Sequence, residues 1–123
     1  MNSHYLFVAV TVLLSVYGQL IIKWQTGKAG AFPTATGDRI SYLAHFLTTP
    51  WVISSLLAAV LAAFAWIAAL SHLELSRAYP FVSASFVLVL VLSALVFGEA
   101  LTVAKVAGAL LIVAGLVIGS QGA

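Results

Sequence analysis

Four long apolar stretches separated by polar segments dominate the chain, at about 4–24, 50–71, 79–97 and 101–119. Each is close to the roughly 20 residues that an α-helix needs to cross a bilayer core about 30 Å thick. The last two stretches are separated only by Gly98, Glu99 and Ala100, which suits a tight turn. The pattern predicts an all-α integral membrane protein, with four transmembrane helices in a single domain over 1–123.

The polar segment between the first two stretches contains a further helical pattern. Its apolar positions recur at helical spacing, which is compatible with a short helix lying in the membrane interface over 38–48. Thr49–Pro50 is typical of a helix start, a capping residue followed by proline at the first helical position. The helix that follows is rich in alanine, and small residues let helices pack closely in lipid. Trp66 near its centre either fills the core or forms a wall of a substrate cavity.

Composition agrees with a membrane protein and excludes several function classes. Of 123 residues, 63% are hydrophobic and 7% are charged, whereas charged residues make up about 25% of a typical soluble domain. Basic residues are too sparse for a nucleic-acid surface, and the chain has no cysteine for a disulfide or thiolate metal site. We find no catalytic constellation and expect neither enzymatic activity nor a metal or other cofactor. The first stretch is expected to remain in the protein as a helix, because it exceeds the 7–15 residue core of a signal peptide.

A row of polar side chains, called here the polar row, follows one face of the first helix. Ser15, Gln19 and Lys23 stand four residues apart, which places them on the same side. Polar groups inside a membrane face protein or a water-filled cavity, because lipid cannot satisfy them. We therefore expect this face to point inward and to bind substrate. The alternative is that Lys23 only extends from the helix end to the headgroups.

The second connection carries Glu74 and Arg77, three residues apart, and leads into Tyr79 and Pro80 at the start of the third helix. Glu74 and Arg77 can pair if the segment is helical. The segment is either an ordinary polar turn or part of a substrate site together with Tyr79.

The fourth helix has a predicted cap at Thr102 and a small-residue pattern. Lys105 stands near the helix N-terminus, where the helix dipole opposes a cation, so we expect it to reach towards a phosphate or Glu99. Glycines that recur along the helix favour close helix contact. Because four helices are few to enclose a cavity, we expect this face to form a dimer interface, at Gly108, Gly115 and Gly119.

Basic residues predict the orientation in the membrane. Four of the five lie in or beside the first and third loops, and Arg77 lies in the second loop. The four are Lys23, Lys28, Arg39 and Lys105. The positive-inside rule places loops one and three in the cytoplasm and both termini outside.

Three segments resemble the drug/metabolite transporter superfamily, which includes the EamA and small multidrug resistance proteins: LLSVYGQLIIKW, ELSRAYPFVSASF and GEALTVAKVAGALLIVAGLVI. The resemblance implies a small multidrug resistance-like bundle of four helices, completed by a second copy or a homologous subunit. Small multidrug resistance exporters bind protons and cationic drugs in turn at a glutamate in helix one. Ser15 stands at that position, so the group on which such export depends is missing.

The first helix is more similar to the small flippase subunits for undecaprenyl phosphate bearing 4-amino-4-deoxyarabinose. By this resemblance Gln19 and Lys23 correspond to the polar segment of helix one, and Tyr79 and Pro80 to the entry of helix three. It implies a bacterial inner-membrane protein that works in pairs to move a lipid-linked sugar. Glu74 and Arg77 have no secure counterpart in that motif.

The resulting hypothesis is a headgroup cavity lined by helix one and the entry to helix three. In this cavity cations offset the phosphate charge, polar side chains hydrogen-bond to sugar hydroxyls, and a carboxylate pairs with an amino group of the sugar. The substrate-binding candidates are Ser15, Gln19, Lys23, Glu74, Arg77 and Tyr79. One alternative is a small multidrug resistance-type exporter of cationic compounds, with Glu74 or Glu99 replacing the missing carboxylate. The other is a non-transporting subunit of a membrane glycosylation complex.

Overall fold

The computed structural model describes residues 3–121, without the side chains of Ser3, Tyr79, Ser120 and Gln121. Over that range the fold consists of helices joined by short connections, which confirms the all-α prediction. The helices are α1 (Ser3–Ala29), α2 (Thr36–Leu47), α3 (Pro50–Leu70), α4 (Leu75–Val82), α5 (Ala84–Phe97) and α6 (Val103–Gln121).

Three helical stretches in the described range are long and apolar enough to cross a membrane: His4–Ala29, Pro50–Leu70 and Leu75–Phe97, the last made of α4 and α5. α6 carries a shorter apolar segment, Val103–Gly119. At about 1.5 Å per residue the 21 residues of α3 extend roughly 31 Å, close to the thickness of the hydrocarbon core. Large apolar side chains such as Phe64 and Leu111 lie exposed on the outside of the chain, as a lipid-facing surface requires. The chain is therefore a multi-pass helical membrane protein.

α1 and α3 form the central pair of the bundle, because small side chains let their backbones approach closely. A Cβ atom added to Gly18 of α1 would lie 3.5 Å from the carbonyl oxygen of Ser55 on α3. The hydroxyl of Tyr17 lies 2.9 Å from that of Ser54, a second link across the pair. Alanines and β-branched residues fill the seam, at Val8, Val12 and Val16 on α1 and at Val52, Ala58, Ala62, Ala65 and Ala69 on α3.

α1 continues to Ala29, five residues beyond the predicted end at 24. Gln25 in this extension is only 7% exposed, and it lines a hollow together with side chains of α2. Gly30 then ends the helix with a left-handed φ of 88°, while its N–H donates to the carbonyl oxygen of Thr26 at 3.0 Å. Polar composition alone predicted a loop here, whereas Gln25 at the start of the extension is buried.

The third apolar stretch is two helices rather than the single helix predicted over 79–97. α4 begins at Leu75, inside the segment assigned to a polar connection, and α5 follows after Ser83. Ala78 is fully buried in a cluster with Val8 and Ala69, and this packing accounts for the early start. At the junction the N–H of Ser83 donates to the carbonyl oxygen of Pro80 at 3.1 Å, a tighter turn than in an α-helix.

The turn between α5 and α6 has a defined start and end. Gly98 adopts a left-handed φ of 67°, which suits glycine at a helix C-terminus. The predicted cap at Thr102 is confirmed, since its side-chain oxygen accepts the backbone N–H of Lys105 at 3.2 Å. α6 therefore begins at Val103, two residues later than the predicted start.

Candidate functional site

A mostly apolar cleft with two side-chain hydroxyls in its lining lies between α1 and α3. Its volume is about 290 Å³, and Thr11, Ser15 and Trp66 line it together with Val82 from α4 and three alanines of α3. The hydroxyl of Thr11 donates to the carbonyl oxygen of Phe7 at 2.8 Å, as expected for threonine inside a helix. Hydroxyls in an otherwise apolar cleft are suited to hydrogen bonding with hydroxyl-rich groups.

Two residues of this cleft bear on predictions from the sequence. Trp66 was predicted either to fill the core or to form a cavity wall, and its side chain both packs against the buried Val8–Ala69–Ala78 cluster and lines the cleft. Thr11 was not among the candidates, although it stands four residues before Ser15 and so continues the polar row. The same four-residue spacing that identified Ser15 could have found it.

The polar row is not buried along its length within one chain. Ser15 is half-buried in the cleft, whereas Gln19 and Lys23 are exposed. The expectation that this whole face points inward is therefore wrong for Gln19 and Lys23 in the single chain. The physical reason is that α3 lies against one side of α1, while residues four apart advance by about 40° around the helix at each step, so the row turns out of the α1–α3 seam.

Lys23 forms an ion pair with the turn between α5 and α6. Its Nζ lies 3.9 Å from Oε2 of Glu99, and the two side chains are 61% and 40% exposed. Lys105 was expected to reach towards a phosphate or Glu99, and its Nζ instead donates to the carbonyl oxygen of Ala100 at 3.0 Å. Lys23 also lines a hollow of about 640 Å³ against α2.

The remaining substrate-binding candidates lie at the opposite end of the bundle. Glu74 and Arg77 are both exposed, and the N–H of Arg77 donates to the backbone oxygen of Glu74 at 3.1 Å, with no side-chain ion pair between them in the described range. Tyr79 belongs to α4, but its side chain lies outside the described residues. The rings of His4 and His72 stack 4.1 Å apart at this same end.

The two ends are too far apart to hold one phosphate. Ala78, next to Arg77, packs against Val8 of α1, and Lys23 follows Val8 by 15 positions. At about 1.5 Å of rise per residue this separates them by roughly 22 Å. Lys23 and Arg77 therefore lie at opposite ends of the described bundle rather than side by side. Chain order already carried this signal, because one membrane crossing separates the first connection from the second.

An apolar groove lies on the other side of α1. Its volume is about 560 Å³, and it runs between Tyr5, Val12 and Leu13 of α1 and Phe81 and Leu88 of the α4–α5 stretch. The ring centroids of Tyr5 and Phe81 lie 5.6 Å apart in an edge-on contact that closes one end. The groove is suited to a hydrocarbon chain.

The glycine face of α6 stays open in the single chain. Gly108 is half-buried, Gly115 and Gly119 are exposed, and a Cβ added to any of the three would meet nothing within 4 Å. The dimer interface assigned to these residues stays a prediction.

Comparison with known proteins places the chain in a family. The profile of the EamA-like transporter family matches residues 2–120. The chain is 32% identical over 120 residues to the probable 4-amino-4-deoxy-L-arabinose-phosphoundecaprenol flippase subunit ArnF of Serratia proteamaculans, covering 95% of this chain and 92% of that protein. It is 37% identical to the ArnF protein of Erwinia tasmaniensis over 119 residues, or 92% and 91% of the two chains.

A subunit with a different name is also similar. The probable flippase subunit ArnE of Pseudomonas aeruginosa is 40% identical over 72 residues, which cover 58% of this chain and 63% of that protein. No solved structure matches the chain significantly. Since the family profile spans nearly the whole sequence, the chain is a member of the EamA-like transporter family.

Proposed function

We propose that the chain is a subunit of an inner-membrane flippase that moves a polyprenyl-phosphate-linked sugar, 4-amino-4-deoxy-L-arabinose, across the bilayer. The observation that carries the proposal is its similarity to ArnF proteins at 32% and 37% identity over more than nine-tenths of the chain. Those proteins are named for this lipid-linked sugar.

The geometry of α1 suits a substrate with a polar head and an apolar tail. The cleft at Thr11 and Ser15 offers hydroxyls to the sugar, and the groove at Phe81 and Leu88 offers an apolar surface to the polyprenyl chain. The tail needs no polar path because it stays in the hydrocarbon, so only the head has to be shielded during crossing.

The cations at the two ends act one after the other in this proposal. Lys23 offsets the phosphate charge at one membrane face and Arg77 at the other, since roughly 22 Å separates them along α1. Gln19 and Ser15 provide hydrogen-bonding groups between these positions. Glu74 and Tyr79, which neighbour Arg77 in the chain, meet the amino group and hydroxyls of the sugar at the Arg77 end.

A second subunit completes the path. Gln19 is exposed in the single chain, and an amide four residues inside Lys23 is unfavourable against lipid unless a protein surface covers it. α6 supplies the fourth membrane crossing, and its glycine face at Gly108, Gly115 and Gly119 forms the contact with the partner. The partner is a second copy or a homologous subunit, and loops one and three face the cytoplasm.

Translocation in proteoliposomes tests this function. Vesicles carry a synthetic polyprenyl-phosphate amino sugar in the leaflet from which transport starts, and a membrane-impermeant amine reagent labels molecules that reach the other leaflet. Chain plus partner should accelerate labelling over protein-free vesicles.

No acceleration with a correctly inserted pair would overturn the flippase function. Uptake of a quaternary cation driven by a pH gradient would instead indicate an exporter. No observation favours that alternative, because Ser15 occupies the glutamate position and Glu74 and Glu99 lie at helix ends.

A further inference from the structure

A second polar hollow lies outside the α1–α3 cleft, between the last turns of α1 and the helix α2. Its volume is about 410 Å³, and its lining includes Gln25, Lys28, Tyr42, His45 and Thr49. It is separated from the Lys23 hollow by Tyr42 and Phe46, which border both and whose rings stack 5.9 Å apart. Nothing in the proposed translocation path uses these polar groups.

Gln25 is the residue that points to a ligand. Its side chain is only 7% exposed, and its Nε2 is buried without a hydrogen-bond acceptor. A buried donor left unpaired is unfavourable, and the same side chain lines the hollow, so an acceptor oxygen bound there and reached by a small rotation of the amide would satisfy it. The Gln25 amide therefore favours a ligand that offers a hydrogen-bond acceptor.

The other polar groups around the hollow indicate that this acceptor is an anion. Lys28 contributes a positive charge at the rim, held 4.2 Å above the ring of Trp24, and the imidazole of His45 adds a ring N–H. The lining contains no carboxylate within the described residues. Its donors therefore face no competing negative charge.

The position of α2 suggests where the anion comes from. Ile40, Leu43 and Leu47 lie at helical spacing along α2 and are all exposed, as for a helix whose apolar side dips into the bilayer interface. α1 continues six residues past Lys23 to reach the hollow. A hollow beside an interfacial helix, past the end of the membrane-spanning part of α1, is expected at the level of lipid phosphates.

We propose that the hollow formed by Gln25, Lys28 and His45 binds the phosphate group of an anionic membrane lipid. Gln25 and His45 donate hydrogen bonds to phosphate oxygens, while Lys28 offsets the charge. The lipid would hold α2 against the ends of α1 and α3. The inference does not depend on the proposed flippase function, since the site lies off the translocation path and its test measures no transport.

Native mass spectrometry of the purified full chain tests the site, with phosphatidylglycerol as the probe and diacylglycerol as the phosphate-free control. Gln25→Met and Lys28→Met should each weaken phosphatidylglycerol binding about 10- to 100-fold, as expected for loss of one hydrogen bond to a charged group, about 1.5–3 kcal/mol. Lys105→Met is the matched control, because it removes a lysine from the start of α6, outside the hollow. It should leave binding unchanged.

Gln25→Met should also melt no lower than the lipid-free wild type, because it replaces an unpaired buried amide with an apolar side chain of similar length. Equal binding of both lipids, or an equal loss in Lys28→Met and Lys105→Met, would overturn the proposal. If Gln25→Met misfolds, Lys28→Met decides alone, since Lys28 is exposed. A further measurement adds inorganic phosphate to the lipid-bound protein. Displacement of the lipid would show that the phosphate group alone is recognised, and no displacement would show that the lipid-held diester is required. Either result supports the site once the variants weaken binding.

Discussion

Replacing Lys23 with methionine separates a structural role of this lysine from a role in moving phosphate. The ion pair with Glu99 is 3.9 Å long and its partners are 61% and 40% exposed, and pairs of this kind contribute about 0–1 kcal/mol. Lys23→Met should therefore lower the free energy of unfolding by less than about 1 kcal/mol. Thermal unfolding of the purified protein measures this.

Transport should respond much more strongly than stability. A hydrogen bond from Lys23 to a phosphate leaving water contributes about 1.5–3 kcal/mol, which at about 1.4 kcal/mol per factor of ten corresponds to a roughly 10- to 100-fold lower translocation rate. The measurement is labelling of the amino sugar by the impermeant reagent in proteoliposomes. Glu99→Gln, which removes the carboxylate and keeps the cation, should translocate at least as fast as wild type.

Lys105→Met is the control for charge at this end of the bundle, because Lys105 donates to the backbone oxygen of Ala100. It should retain the wild-type rate. The role assigned to Lys23 is refuted if Lys23→Met translocates normally in an active preparation. It is also refuted if Lys105→Met loses as much activity, which would assign the effect to general surface charge.

Three further predictions follow from the packing and the topology. Gly18→Leu should lower the free energy of unfolding by about 1–3 kcal/mol, because the larger side chain overpacks the α1–α3 seam. Gly18→Ala should not, because its Cβ would lie 3.5 Å from the carbonyl oxygen of Ser55, an ordinary contact distance. Thermal melts of the two variants and the wild type measure the difference. If the partner is a second copy, Gly115→Cys in the purified chain should give a covalent dimer with a bismaleimide, since the chain has no other cysteine. Equal cross-linking of the exposed α3 variant Val60→Cys would count against the α6 interface. In intact spheroplasts an impermeant maleimide should label Ser71→Cys and not Asp38→Cys, and the reverse pattern would invert the proposed orientation.

The candidate site was only partly predictable from the sequence. Ser15 was a candidate, and the structure places it in one cleft with Trp66, for which a cavity wall was one of two predictions. The sequence also grouped Lys23 with Arg77, because both are basic residues close to helix ends. Helix length keeps those two residues apart, which is why we propose two successive phosphate contacts rather than one clamp.

Local physical chemistry determined much of this protein directly from its sequence. Apolar stretches long enough to cross a bilayer must be helical, because helices satisfy their own backbone hydrogen bonds in lipid, and Thr102 capped α6 as its residue type predicts. Long-range packing decided the rest. Burial of Ala78 accounts for the early start of α4, and burial of Gln25 accompanies the extension of α1 into a segment for which polar composition predicts a loop. Gln19 is exposed because α3 lies against another side of α1. These outcomes depend on which helix lies beside which, and side-chain periodicity along a single helix does not contain that information.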